Sequence, residues 1–130
     1  MRLTSALVRL YAALLLAAGV ALLFAPEVVF VGAAGSDVKA LVLAQLVGAA
    51  LLGFAAANWT ARGAILGGIY GRAVVMGNQA FAFIGVLVLL RNLPAERGLA
   101  FWFFLLVLAF GAVLYSVLLY RSPKAPPEPG

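Results

Sequence analysis

The sequence predicts an all-α, polytopic membrane protein: four transmembrane helices in a compact bundle, with both termini in the cytoplasm. Three observations carry this. Of 130 residues, 66% are hydrophobic and only 10% are charged, whereas an ordinary soluble domain is about 25% charged. The mean hydropathy is +1.15. The charged residues also cut the chain into four uncharged stretches of 17, 22, 18 and 23 residues. No soluble core hides that much apolar surface, so the lipid bilayer is the expected partner. A soluble enzyme, a nucleic-acid-binding domain and a disordered chain are excluded.

The four stretches lie between Arg9 and Glu27, Lys39 and Arg62, Arg72 and Arg91, and Arg97 and Arg121. A helix needs roughly 20 apolar residues, within a range of about 17–25, to cross a hydrocarbon core of about 30 Å. All four qualify. Lipid offers no partner to an unpaired backbone group, so each span must be helical or belong to a closed barrel. The apolar runs 10–24 and 99–113 lack the period-two alternation of barrel strands. The predicted helices are 6–25, 38–59, 72–91 and 98–120, within a domain covering 1–121. Pro26 ends the first, and Asn92-Leu93-Pro94 ends the third. The nine residues between Arg62 and Arg72 reach only about 14 Å as a helix and do not span. Residues 122–130 hold four prolines and read as a flexible, extended tail. The small residues Gly32-Ala33-Ala34 lie well past the first apolar run, which exceeds the roughly 7–15 residues of a secretory signal. That run is read as a retained span.

Basic residues set the orientation. Arg2, Arg9, Arg62, Arg72, Arg121 and Lys124 fall on the side of the termini, against Lys39, Arg91 and Arg97 on the other. The positive-inside rule therefore places both termini and the central loop in the cytoplasm. Trp59, Trp102 and Tyr120 sit near span ends, where amphipathic rings favour the headgroup region.

Missing residue types exclude chemistry. There is no cysteine and no histidine, so thiol redox chemistry and Cys or His metal sites are excluded. The four acidic residues, Glu27, Asp37, Glu96 and Glu128, all lie outside the long apolar stretches. A proton-coupled carrier usually needs an intramembrane carboxylate. The expectation is no catalytic residue, no metal and no cofactor.

Helices associate in lipid through small residues that let backbones approach. Ala13, Ala17, Ala21 and Ala25 recur at four-residue spacing, as do Gln45, Ala49, Gly53 and Ala57. Asn78, Ala82 and Gly85 share a face of the third span, and Ala109, Ala112 and Ser116 lie on the fourth. These stripes are expected to meet inside the bundle, with Ala17, Ala21, Ala49, Gly53 and Ala57 as packing residues. In the other reading one stripe turns outward as a homo-oligomer seam.

Depth sorts the intramembrane polar residues. Asn58, Asn78, Gln79, Tyr115 and Ser116 share one layer in the cytoplasmic leaflet. Asn78 and Gln79 differ by about 100° around their helix, so they face different neighbours. Gln45, alone in the outer half, is expected to bond a neighbour's backbone carbonyl. The layer reads either as interhelical hydrogen bonds or as a vestibule for a small polar molecule or headgroup. The segment from Arg62 to Arg72 holds four glycines in eleven residues. Exposed amides between two arginines suit an anion, so Arg62 and Arg72 are the candidate site for an anionic phospholipid headgroup. Whether this segment is a loop or a short interfacial helix stays open.

The opening from Arg9-Leu10-Tyr11 to Ala25-Pro26-Glu27, followed by three more spans, resembles small four-helix bacterial inner-membrane proteins of unassigned function. The likeness covers the layout of nearly the whole chain. It implies a multi-pass protein of the inner (plasma) membrane and carries over no functional residue. The expected function is non-enzymatic and works through helix packing and assembly, as a homo-oligomer or as a small accessory subunit of a larger membrane complex. The alternative is a binding protein or carrier for a lipid or small amphiphile, using the inner polar layer and the arginine-flanked loop.

Overall fold

Proline, the strongest helix breaker, occurs in the long apolar runs only at Pro26, the end of the first, and the chain answers with long helices. The computed structural model describes residues 2–29, 37–65 and 67–121. Among the described residues five helices form: α1 (Arg2–Phe24), α2 (Pro26–Val29), α3 (Val38–Ala61), α4 (Gly68–Arg91) and α5 (Leu99–Arg121). Among the described residues there is no strand. α1, α3, α4 and α5, of 23, 24, 24 and 23 residues, are each long and apolar enough to cross a membrane. The Gly32-Ala33-Ala34 run and the proline-rich 122–130 segment lie outside the described residues.

The ends of the helices follow local chemistry. α1 starts at Arg2, four residues before the predicted start at 6, because nothing from Arg2 to Ser5 breaks a helix. Its ladder runs on to Ala25, whose N–H donates to Ala21 O at 3.0 Å. Pro26 then opens α2, since its fixed φ and missing N–H suit a first helical position. Asp37 caps α3 by accepting the Lys39 N–H at 3.0 Å, which satisfies an otherwise orphan donor.

The central segment corrects the sequence reading. α4 begins at Gly68, not near 72, so Gly68 to Arg72 belong to its first turn. The connection shrinks to the residues between Ala61 and Gly68. Two turn bonds shape it: Ala64 N–H to Ala61 O and Gly67 N–H to Ala64 O, both 2.9 Å. Gly68 takes φ +71°, a region open to glycine at little cost. A Cβ on Gly71 would stand 2.8 Å from Ile65 O, so only glycine lets this turn fold back onto α4.

Each long helix pairs mainly with one partner: α1 with α3, and α4 with α5. The two pairs touch over a shorter length, α1 against α5 and α3 against α4. The first seam uses Val8, Tyr11, Ala12, Leu15, Ala18, Gly19 and Leu22 of α1. On α3 the buried residues are Ala44, Gly48, Leu51, Ala55 and Asn58. The other pair buries Gly71, Val75, Asn78 and Ala82 of α4 and Val107, Gly111, Leu114, Tyr115 and Leu118 of α5.

This seam differs from the expected stripes. Ala17, Ala49 and Gly53 are exposed, and Ala21 and Ala57 are only half-buried. Nothing lies within 4 Å of where a Gly53 Cβ would stand. The register is set instead by Gly19, on the side of α1 away from Ala17 and Ala21, and by Gly48, about 100° around α3 from Ala49; both allow backbone-to-backbone approach. On α5, Ala109, Ala112 and Ser116 are half-buried beside the true seam. Asn78, Ala82 and Gly85 do face inward on α4, with a Gly85 Cβ position 2.9 Å from a Leu108 methyl.

Candidate functional site

The α3–α4 and α4–α5 contacts are antiparallel, and each brings a polar side chain to one level. Asn58 on α3 is 0% exposed and Asn78 on α4 is 1% exposed. The Asn58 Nδ2 amide donates to Asn78 Oδ1 at 2.7 Å and to Phe54 O at 2.8 Å. Asn78 Nδ2 donates to Val74 O at 2.9 Å. The Tyr115 hydroxyl of α5 donates to Asn58 Oδ1. One buried cluster therefore ties three helices, and each amide spends its spare proton on the carbonyl one turn earlier. Gln79 Nε2 donates to Ser116 Oγ at 2.8 Å. Asn78 thus faces α3 while Gln79 faces α5, the division their offset around the helix requires.

Aromatic rings surround this clasp. Phe54 and Phe81 stack with centroids 4.6 Å apart, joining α3 to α4. Tyr11 of α1 meets Tyr115 edge-on at 5.5 Å and Phe110 at 5.9 Å. Its ring occupies the space above Gly111, where any Cβ would collide with it. Tyr11 is 0% exposed, and its hydroxyl has no hydrogen-bond partner among the described residues, nor does Gln79 Oε1. Tyr11 is not among the layer residues that the sequence reading names. The signal that finds it is the seven-residue repeat of Val8, Tyr11, Leu15, Ala18 and Leu22, spaced alternately by three and four, on which Tyr11 falls.

All five predicted layer residues come together in two hydrogen-bonded groups. Asn58, Asn78 and Tyr115 are buried and bonded to one another. At the opposite end, Gln45 Nε2 donates to Leu23 O at 3.1 Å, a backbone carbonyl of the neighbouring helix.

Of the two arginines, Arg62 lines a cleft and Arg72 does not. Arg62 lines a cleft of about 380 Å³ together with Thr4, Ser5, Gly63, Ala64, Ile65 and Gly67. Its guanidinium lies over the Trp59 ring, 4.7 Å from the centroid, and donates to Trp59 O. Arg72 is exposed on α4 and does not line that cleft, whose facing wall is Thr4 and Ser5 of α1. Thr4 and Ser5 escaped the sequence reading because α1 was expected to start after them. Their signal was two hydroxyl residues beside a basic terminus.

Among the described residues no group of three or more Asp, Glu, Cys or His side chains could hold a metal ion. No protein-family model, characterised protein or solved structure matches the chain.

Proposed function

We propose that the chain is a non-enzymatic, multi-pass protein of a bacterial inner (plasma) membrane that works by assembling with a second copy of itself through the outer face of α3. Its four long helices cross the bilayer as a bundle, with both termini in the cytoplasm. The reading of orientation rests on the excess of basic residues at that end.

One observation carries the assembly. A glycine inside a helix costs about 1 kcal/mol relative to alanine, so its place calls for a reason. At Gly19, Gly48, Gly71, Gly85 and Gly111 the chain supplies one: a neighbouring heavy atom stands 2.9 Å or less from the Cβ position. Gly77 of α4 meets only the edge of Phe54, at 4.0 Å, and Gly53 meets nothing within 4 Å. Gly53 lies on an exposed line with Ala49 and Ala56, at i, i+4 and i+7. This smooth strip admits another helix backbone at close range, the usual basis of helix association in lipid.

Gly53→Leu tests this without touching the fold, because the added side chain meets nothing in its own chain. Native mass spectrometry from mild detergent should show oligomers for the wild type and monomer for Gly53→Leu, at equal helix content. Oligomers that survive Gly53→Leu would refute the assembly face.

A further inference from the structure

We infer that the cleft between the first turn of α1 and the 62–67 connection is a binding site for the phosphodiester of an anionic phospholipid. It rests on the membrane-crossing reading but not on assembly through Gly53.

The cleft lies where four helix ends gather: the start of α1, the end of α3, the start of α4 and the end of α5. Those ends carry Arg2, Arg9, Arg62, Arg72 and Arg121, while Glu27, Asp37 and Glu96 sit at the opposite end. Among the described residues, therefore, no carboxylate at this end neutralises Arg62. Register places Arg2, Ser5 and Arg9 along one face of α1, at i, i+3 and i+7. Ser5 opens that basic line into the cleft.

Arg62 is held in advance. Its guanidinium rests over Trp59 and spends one Nη1 proton on the Trp59 carbonyl. The other guanidinium donors form a planar fork suited to phosphate oxygens. The Thr4 and Ser5 hydroxyls on the facing wall can donate to the same oxygens. Gly63, Ala64 and Gly67 keep the remaining wall low, and Ile65, 4% exposed, closes it with apolar surface. That combination suits a headgroup phosphate above a glycerol backbone. Trp59, half exposed beside the cleft, marks headgroup depth.

The test conserves charge so that the general basic field stays constant. The full chain is reconstituted in nanodiscs of phosphatidylcholine with a minor fraction of phosphatidylglycerol, then released and weighed by native mass spectrometry. One phosphatidylglycerol should be retained per chain. Arg62→Lys should retain it about tenfold less, the scale of a lost charge-assisted fork. Thr4→Val should weaken retention in the same direction, and Arg72→Lys should leave it unchanged. Inorganic phosphate added in excess should not displace the lipid. Equal retention by Arg62→Lys and wild type would overturn the site. Equal losses from Arg62→Lys and Arg72→Lys would also overturn it, as would displacement by inorganic phosphate, which would point to a soluble anion. A chain that inserts and stays helical yet retains no phosphatidylglycerol sinks this site and leaves the membrane reading standing.

Discussion

Gly19 and Gly48 meet backbone to backbone: a Cβ added to either glycine would stand 2.9 Å from the carbonyl oxygen of the other. This crossing fixes which faces of α1 and α3 are inside, and so which face of α3 is left outward. Gly48→Ala should lower stability by about 1–3 kcal/mol, as overpacking does in a tight core. Gly53→Ala should be neutral or slightly stabilising, because nothing lies near it and alanine is the better helix former. Thermal melts of both variants in detergent check the pair. A Gly48→Ala protein that melts with the wild type would contradict the crossing.

The amide clasp carries a second expectation. Asn58→Ala leaves the Asn78 Oδ1 and the Tyr115 hydroxyl without their bonds in a buried layer, a loss of about 1–3 kcal/mol. The single variants Asn58→Ala and Asn78→Ala should not add. A double-mutant cycle should give a coupling of about 1 kcal/mol. Strict additivity would mean that the two amides do not depend on each other.

These two cases show what the sequence could reveal and what it could not. Spans were legible because thirteen charged residues punctuate otherwise apolar runs. The clasp was legible because depth alone decides which of a few amides can meet, and Asn58, Asn78 and Tyr115 sit within a few residues of charged span ends. Packing register was not legible. α1 and α3 are apolar all round, so no face announces itself as the core. Both also carry small residues on several faces: Ala12, Ala18 and Gly19 compete with Ala13, Ala17 and Ala21. Only the three-dimensional crossing shows that Gly19 and Gly48 need the missing side chain. Arg62 and Arg72 were paired by adjacency in sequence, whereas α4 begins early enough to leave Arg72 off the cleft.

The buried Tyr11 hydroxyl gives a third test. It has no partner among the described residues, and a buried unpaired group costs about 1–3 kcal/mol. Tyr11→Phe keeps the ring contacts with Tyr115 and Phe110 and removes that group. It should raise the melting temperature. A lower melting temperature would show that the hydroxyl makes a bond, for instance through a buried water.

Orientation is open to direct measurement. A reporter fused after Arg121 should give a cytoplasmic signal, and one inserted after Glu96 a periplasmic signal, as the distribution of basic residues requires. Reversed signals would place the arginine cleft on the outer face.

The central claim is that α3 presents its Ala49–Gly53–Ala56 face to a second copy. The chain has no cysteine, so a single introduced thiol reports only its own position. Ala49→Cys, Gly53→Cys and Ala56→Cys, oxidised in native membranes, should each give a disulfide-linked dimer. Val113→Cys, exposed on α5, should not. Cross-linking at Val113 with none along the α3 face would contradict the account.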